Sequence, residues 1–248
     1  ADGVPKESAG VLVDEQFGTE IAREAKAEGL VLAMPVEKSG QDEFDFDYGP
    51  DFGRHIEDFD PTFAKVLVRY NPEGDRDMNA RQLQRLKQLS DWLHERNRKL
   101  LFELLVGAEP HQLERAGGDE NVFDNEIRPG LMLATIDEVH EAGVEPDIWK
   151  IEGLDRREDC ERVAQRVRVG GRDDVACVVL GRGANDEAVA HWLRQGAGVP
   201  GYIGFAIGRT IWWDPLKAWL AGDAERSVAT KQIAENYRRM VDVYTSAS

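Results

Sequence analysis

The chain has 248 residues, of which 42% are hydrophobic and 31% charged, a composition typical of globular proteins that excludes disordered and collagen-like chains. No apolar run reaches the roughly 18 residues needed to cross a bilayer, so no membrane partner is expected. The net charge of −16 disfavours nucleic acid as a partner but allows a small anionic ligand in a local basic pocket. Cys160 and Cys177 are too few for a disulfide framework and indicate a reducing, cytoplasmic location.

Short apolar runs alternate with helical patterns along the chain. Apolar residues follow one another almost continuously in seven runs, which predicts buried parallel strands at Val11–Asp14, Leu30–Val36, Ala64–Tyr70, Leu100–Val106, Ile148–Ile151, Ala176–Leu180 and Tyr202–Ile207. The apolar periodicity predicts helices at Thr19–Glu28, Ala80–Arg96, Pro129–Ala142, Arg157–Val169 and Asp186–Gln195. All but the second have a glycine just past their end, which indicates a C-cap at Gly29, Gly143, Gly170 and Gly196.

This alternation predicts an α/β fold, and we interpret it as a (β/α)8 TIM barrel that forms a single domain over residues 1–248. A closed barrel of this kind has eight strands, so the seven predicted strands leave it one short. The chain also begins at Ala1 without an initiator methionine or a secretory signal. We therefore expect a first βα unit upstream of this chain; a start codon directly before Ala1 would contradict that expectation.

Charged residues interrupt three of the predicted strands, at Lys65, Glu103 and Lys150. A buried lysine costs several kcal/mol unless it is paired or neutral, and desolvation together with a second cation lowers its pKa. A neutral amine can attack a carbonyl and form a Schiff base, while a nearby carboxylate moves protons. The three residues thus predict a nucleophile, a neighbouring cation and an acid/base group. The alternative is a structural ion pair between Glu103 and either lysine.

Two consecutive strands run into a Gly-Arg pair, Gly181-Arg182-Gly183 and Gly208-Arg209. Glycine lets backbone N–H groups approach an anion, and arginine supplies a bidentate charge, so the pattern predicts an anion site at the last strands of the barrel. The alternative is two tight turns with solvated arginines.

The remaining conspicuous residues carry less weight. Residues 41–60, which are rich in acidic and aromatic side chains, predict either a loop over the mouth of the barrel or a connection, and we favour solvated positions for most of their charges. Trp212, Trp213 and Trp219 predict either an anchor for the last helix or the interface of a homo-oligomer. The five histidines are scattered, so no metal site is expected.

Six segments of the chain resemble a known family: Val13–Gly18, Pro35–Gly40, Lys65–Pro72, Phe102–Leu105, Trp149–Gly153 and Gly208–Trp213. They look like the aldolase-like domain that is fused to 5-dehydro-2-deoxygluconokinase in inositol catabolism and that also occurs alone. More distantly they resemble tagatose-bisphosphate aldolase and the sulfofructose-phosphate aldolases, which are class I Schiff-base enzymes. The resemblance extends from about Gly10 to Trp213.

The resemblance assigns roles to individual residues. Lys150 matches the Schiff-base lysine of those aldolases, Glu103 their acid/base glutamate and Lys65 the lysine beside it. Arg209 matches an arginine at their phosphate end, and the turn that begins at Glu37 matches a Glu-Lys-Thr-Gly-like turn. These residues, with Arg182, Gly183 and Gly208, form the predicted site.

The chain departs from the family in two places. The family's first strand carries an active-site aspartate that has no equivalent here. Gly181-Arg182-Gly183 also stands where tagatose-bisphosphate aldolase has a serine-containing phosphate loop. An arginine suits phosphate, sulfonate or carboxylate, so the identity of the substrate's anion stays open.

By resemblance, the expected activity is that of an aldehyde-lyase. It would cleave 2-deoxy-5-keto-gluconate 6-phosphate to dihydroxyacetone phosphate and malonate semialdehyde, without metal or cofactor because the iminium serves as electron sink. The alternatives are an aldolase for tagatose bisphosphate or sulfofructose phosphate, and a barrel that binds a sugar phosphate without turnover. A metal-dependent aldolase or isomerase is disfavoured because no histidines cluster at the strand ends.

Overall fold

The structure is a computed structural model that describes residues 4–248; Ala1, on which the expectation of an upstream βα unit rests, lies outside the described residues. The strands are β1 (Gly10–Leu12), β2 (Val31–Pro35), β3 (Phe63–Arg69), β4 (Lys99–Leu105), β5 (Ile148–Glu152), β6 (Ala176–Leu180) and β7 (Tyr202–Ala206). The strand order in the sheet follows the chain. The pairings of β1 to β4 and of β6 with β7 are parallel, so the predicted α/β fold with a parallel sheet is confirmed.

Ten α-helices lie within residues 4–248. They are α1 (Glu15–Ala27), α2 (Phe52–Phe59), α3 (Arg76–His94), α4 (Pro110–Arg115), α5 (Glu120–Val122), α6 (Arg128–Glu141), α7 (Arg157–Arg166), α8 (Asp186–Gly196), α9 (Arg209–Ala221) and α10 (Arg226–Ser246). None of the helices in this part of the chain has both the length and the apolar character needed to cross a membrane.

The chain divides into two compact units. The first, here called the N-terminal unit, contains Pro5–Trp149 and Arg166–Val175. The second, the C-terminal unit, contains Lys150–Gln165 and Ala176–Ser248. The interpretation of the chain as one domain stays a prediction.

The core of the N-terminal unit lies where α3 packs on the sheet. Leu86, Leu89 and Leu93 recur along one side of α3 and are fully buried, as the predicted apolar stripe requires. Asp75 caps the helix by accepting hydrogen bonds from the backbone N–H groups of Asp77 and Met78. This cap starts α3 four residues earlier than the apolar pattern alone predicts.

Residues 41–60 are more ordered than a solvated connection. Their acidic side chains are mostly exposed, as expected, but Phe44, Phe46 and Phe52 are buried. The rings of Phe46 and Phe52 stack 4.3 Å apart, and Phe52 meets Trp92 of α3 edge-on. The segment also contains α2, which the sequence pattern does not predict. Alternation of aromatic and acidic residues lets one side pack while the other stays in water.

In the C-terminal unit, the prediction that Gly196 is a helix C-cap is wrong, because α8 continues through Gly196 and ends at Ala197 in extended conformation. A Cβ at Gly196 would lie 3.0 Å from Val179 of β6 and 3.1 Å from Tyr202 of β7. Glycine is therefore used for close approach of helix and sheet. Gly29 and Gly143 follow the C-caps of α1 and α6 and have the positive φ of a left-handed cap. Gly170 also has a positive φ, but α7 ends four residues earlier at Arg166, so the prediction that Gly170 caps this helix is wrong.

Helix α9 buries Ile211 and Pro215 more completely than its tryptophans. Ile211 and Pro215 are its buried residues, whereas Trp213 and Trp219 are 51% and 40% exposed. Trp219 lies one turn after Pro215 on the same side of the helix, so the interpretation of the tryptophans as an anchor stays a prediction. Their part in an oligomer interface stays a prediction.

Both cysteines lie in the C-terminal unit, and both are free and buried. Burial raises the pKa of the Cys160 thiol to about 12. Cys160 is thus kept in its neutral, unreactive form.

Candidate active site

A buried ionic triad lies at the centre of the N-terminal unit. Nζ of Lys65 lies 2.5 Å from Oε1 of Glu37 and 2.9 Å from Oε2 of Glu103. The three side chains are only 6%, 11% and 7% exposed, respectively. The arrangement follows from strand register: Lys65 of β3 is paired with Leu101 of β4, so Glu103 lies two residues further along on the same face.

Glu37 is held in place by the chain that returns past the end of β2. The N–H of Val36 donates to the carbonyl of Lys65, which aligns this segment with β3. Glu37 forms an isolated antiparallel bridge with Phe46, and the N–H of Lys38 donates to the carbonyl of Asp45. The backbone on both sides of Glu37 is therefore fixed, and with it the direction of the side chain.

Burial and charge act in opposite directions on the triad. Burial alone would lower the pKa of Lys65, but the carboxylates of Glu37 and Glu103 outweigh it and hold the Lys65 pKa above its ordinary value. Burial raises the pKa of Glu37 in spite of the attraction of Lys65. Lys65 is consequently a permanent cation at neutral pH.

Lys150 is also buried inside a strand. It is the third residue of β5 and is 8% exposed, and Glu152, on the same face by strand alternation, is 5% exposed. Nε of Arg182 lies 3.1 Å from Oε1 of Glu152. The N–H of Gly153 donates to the carbonyl of Leu180, which aligns the end of β5 with the end of β6.

The two Gly-Arg motifs converge in the C-terminal unit. A Cβ at Gly183 would lie 2.6 Å from Nη2 of Arg209, so the guanidinium rests directly on that glycine. Oγ1 of Thr210 donates to the carbonyl of Ala184, which ties the start of α9 to the loop after β6. No side chain caps α9 at Gly208, which leaves the N-terminus of α9 without a side-chain acceptor beside the exposed Arg209. This arrangement has the chemistry of an anion site.

The structure therefore unites some of the predicted residues and adds partners to others. Lys65 meets Glu103, which is the ion pair considered as the structural alternative, and Glu37 completes it. Arg182 binds Glu152, which sequence reasoning did not include in the site. The signal for Glu152 was present, since it follows Lys150 by two positions on the same strand. The catalytic and binding roles stay predictions.

No group of three or more histidine, cysteine, aspartate or glutamate side chains within residues 4–248 is placed to hold a metal ion.

Comparison with known proteins gives a family and a fold. The family described as "Uncharacterized protein conserved in bacteria (DUF2090)" matches residues 1–248. A fructose-bisphosphate aldolase from Plasmodium falciparum is similar with a TM-score of 0.66 at 13% identity, over 96% of this chain and 76% of that one. Cgl0159 from Corynebacterium glutamicum is similar with a TM-score of 0.60 at 17% identity, over 92% of this chain and 70% of that one. No curated protein sequence matches.

At these identities the structural likenesses show the fold alone. They confirm the predicted fold class, an α/β barrel of the aldolase type, and do not establish a substrate.

Proposed function

We propose, from the premise that this chain belongs to the family Uncharacterized protein conserved in bacteria (DUF2090), that it is a class I aldolase with its Schiff base on Lys150. The family description states no activity. The proposal therefore rests on the residues of this chain and on the resemblance of its segments to class I aldolases.

The observation that carries the proposal is the burial of Lys150, which is 8% exposed in the middle of β5. Lys65 is held as a cation by two carboxylates, and its raised pKa removes it as an amine nucleophile. Lys150, equally buried within a strand, is then the candidate for the nucleophile. A lysine shielded from water inside an apolar strand is the kind of residue that forms imines in proteins.

In the proposed reaction the Lys150 amine adds to the substrate ketone, and the carbinolamine loses water to give an iminium. Glu103 accepts the proton of the hydroxyl group next to the scissile carbon–carbon bond. That bond breaks, an aldehyde leaves, and the electron pair moves into the iminium to form an enamine. Glu103 returns the proton to the enamine carbon, and water hydrolyses the new iminium to free the second product and Lys150.

Arg209 is proposed to hold the anionic end of the substrate. Its guanidinium is exposed beside Gly183, and the uncapped N-terminus of α9 adds N–H groups and a favourable dipole for an anion. Arg182 contributes less net charge than the sequence predicts, because Glu152 neutralises part of it.

The proposed substrate is 2-deoxy-5-keto-gluconate 6-phosphate, cleaved to dihydroxyacetone phosphate and malonate semialdehyde in inositol catabolism. This choice comes from the resemblance to the domain fused to 5-dehydro-2-deoxygluconokinase. Tagatose bisphosphate and sulfofructose phosphate are the competing substrates, since each presents a ketone and an anion. We further propose a cytoplasmic homo-oligomer, on the strength of two free cysteines and the exposed Trp213, Trp219 and Leu220.

Borohydride trapping tests the mechanism. We expect dihydroxyacetone phosphate and borohydride to add one reduced ligand to the wild-type protein, on the peptide that contains Lys150. Lys150→Ala should give no adduct, and Lys217→Ala, which removes an exposed lysine of the same unit, should label normally. No adduct on the wild type, or equal labelling of Lys150→Ala, refutes the mechanism.

A sugar-phosphate-binding module without turnover is the second candidate. It is favoured by the extent of ion pairing, because Lys65 and Arg182 both have carboxylate partners. Thermal stabilisation by 2-deoxy-5-keto-gluconate 6-phosphate, without trapping and without product, would support this candidate and exclude the aldolase.

A further inference from the structure

Glu37 has one carboxylate oxygen that the fold leaves unused. Oε1 is bonded to Lys65, whereas the buried Oε2 has no hydrogen-bond partner within residues 4–248. A buried polar atom without a partner destabilises the folded protein, and a charged one does so more strongly. Such an atom in a native protein commonly meets a ligand, a bound water or a reacting group.

The need to neutralise Lys65 does not explain why residue 37 is a glutamate. Glu103 lies 2.9 Å from the same ammonium and already supplies one negative charge. With both carboxylates ionised, the triad carries a net charge of −1. A glutamine at position 37 would keep a hydrogen bond to Lys65 at a smaller desolvation cost.

The unused oxygen is also shielded from solvent. Its side chain is 11% exposed, and the bridge between Glu37 and Phe46 fixes the backbone from which it projects. The atom therefore stays in place as a pre-positioned acceptor, as expected of a group that meets a ligand.

The chemistry of the acceptor restricts the ligand group that it meets. A phosphate or carboxylate would be repelled by a second negative charge. A ligand ammonium would compete with Lys65 for the same carboxylate. A hydroxyl group donates one hydrogen bond, carries no charge and matches a single carboxylate oxygen.

We infer that Glu37 is a specificity residue that accepts a hydrogen bond from a substrate hydroxyl through Oε2. The inference takes the ligand to be a ketose and so rests on the proposed function. It adds that Glu37 selects a ligand with a free hydroxyl group over the deoxygenated counterpart of that ligand.

Two ketone phosphates that differ by one hydroxyl group test the inference. Dihydroxyacetone phosphate and hydroxyacetone phosphate share the ketone and the phosphate, and only the first has a free hydroxyl group. A hydrogen bond to a charged group contributes about 1.5–3 kcal/mol, so we expect calorimetry to show that the wild type binds the hydroxylated probe about 10- to 150-fold more tightly.

Glu37→Gln should lower this ratio at least about fivefold, mainly by weakening the hydroxylated probe, because a neutral amide is a weaker acceptor than a carboxylate. Glu57→Gln removes a 55% exposed carboxylate of the same unit and is the control; it should keep the wild-type ratio. Thermal unfolding of each variant reports whether it is folded. Equal binding of the two probes by the wild type overturns the inference even if the variants do not fold, and so does an equal loss of the ratio in both variants.

Borohydride trapping with the same two probes distinguishes a failure of the Glu37 inference from a failure of the aldolase proposal. A Lys150 adduct with both probes but equal affinities retains the aldolase and removes the role of Glu37. A binding ratio without any adduct retains the role of Glu37 and removes the aldolase. If neither probe binds, both are wrong.

Discussion

The ammonium of Lys65 lies 2.9 Å from the carboxylate of Glu103, although the direct partner of Lys65 in the neighbouring strand is Leu101. The contact is therefore diagonal across two parallel strands, and it is reached because a long lysine side chain spans the offset of two residues. This geometry leaves the other side of the ammonium open to Glu37.

Removal of the positive charge of Lys65 should strongly destabilise the protein. Lys65→Met keeps the length of the side chain but leaves two buried carboxylates without their counter-charge, which costs about 3–5 kcal/mol. Urea unfolding at pH 7 measures this loss. The same substitution at the exposed Lys87, which pairs with Asp91 on the surface of α3, should cost about 0.5 kcal/mol or less.

A second change should partly rescue that variant. Lys65→Met combined with Glu103→Gln removes one of the two unbalanced charges, so we expect the double variant to be more stable than the single one. Equal stability of Lys65→Met and Lys87→Met would show that the triad is solvated and does not need its cation.

Two histidines of the N-terminal unit should change stability with pH in opposite directions. The hydrogen bond to Asp147 holds the pKa of His94 above its ordinary value, so its stabilisation is complete below about pH 6.5 and is lost as pH rises through the folded-state pKa. Burial lowers the pKa of His140, so its penalty appears as pH falls below about 6.5.

Urea unfolding between pH 5 and 8 tests these signs. Relative to the wild type, His94→Gln should lose most stability at the acid end of the range. His140→Gln should gain stability at that same end, because glutamine has no proton to take up. Parallel curves for the two variants would contradict the assigned environments.

The glycine at position 183 should matter for anion binding as well as for folding. Gly183 has φ +71°, and its missing Cβ leaves the space that the Arg209 guanidinium occupies. Gly171 has φ +84°, and a Cβ there would meet no atom within 4 Å, so alanine at this position meets only the backbone penalty of about 1–2 kcal/mol.

Both alanine variants should therefore lose stability, but only Gly183→Ala should also lose affinity for inorganic phosphate, because it displaces Arg209. Thermal unfolding and phosphate titration of the two variants provide the comparison. Unchanged phosphate binding in a folded Gly183→Ala protein would remove Arg209 from the anion site.

The regular part of the fold was predictable because its signal is local. The bounds of β6 agree with the apolar run Ala176–Leu180, in which every residue is buried. Helix α2 was not predictable in this way. In residues 41–60, the buried Phe44, Phe46 and Phe52 have spacings that fit neither one strand nor one helix. Phe52 packs edge-on against Trp92 of a later helix, a contact that local spacing does not encode.

The candidate site was likewise predictable only where its signal is local. The presence of Lys65 and Glu103 in apolar strands was enough to single them out. Their pairing with Glu37 depends on a chain return 28 residues before Lys65, which no spacing rule encodes. The ion pair of Arg182 could not be predicted for a similar reason. Arg182 was singled out by its loop motif, whereas its observed partner Glu152 lies on β5.

Alkylation of the two buried thiols measures how the C-terminal unit opens. Cys160 has a pKa of about 12 and, like Cys177, is shielded from solvent, so an alkylating reagent meets neither sulfur while the unit is closed. The rate of alkylation equals the opening rate of this unit when the reagent reacts faster than the unit recloses, and otherwise follows the opening equilibrium; the two sulfurs thus report fluctuations that leave the average structure unchanged.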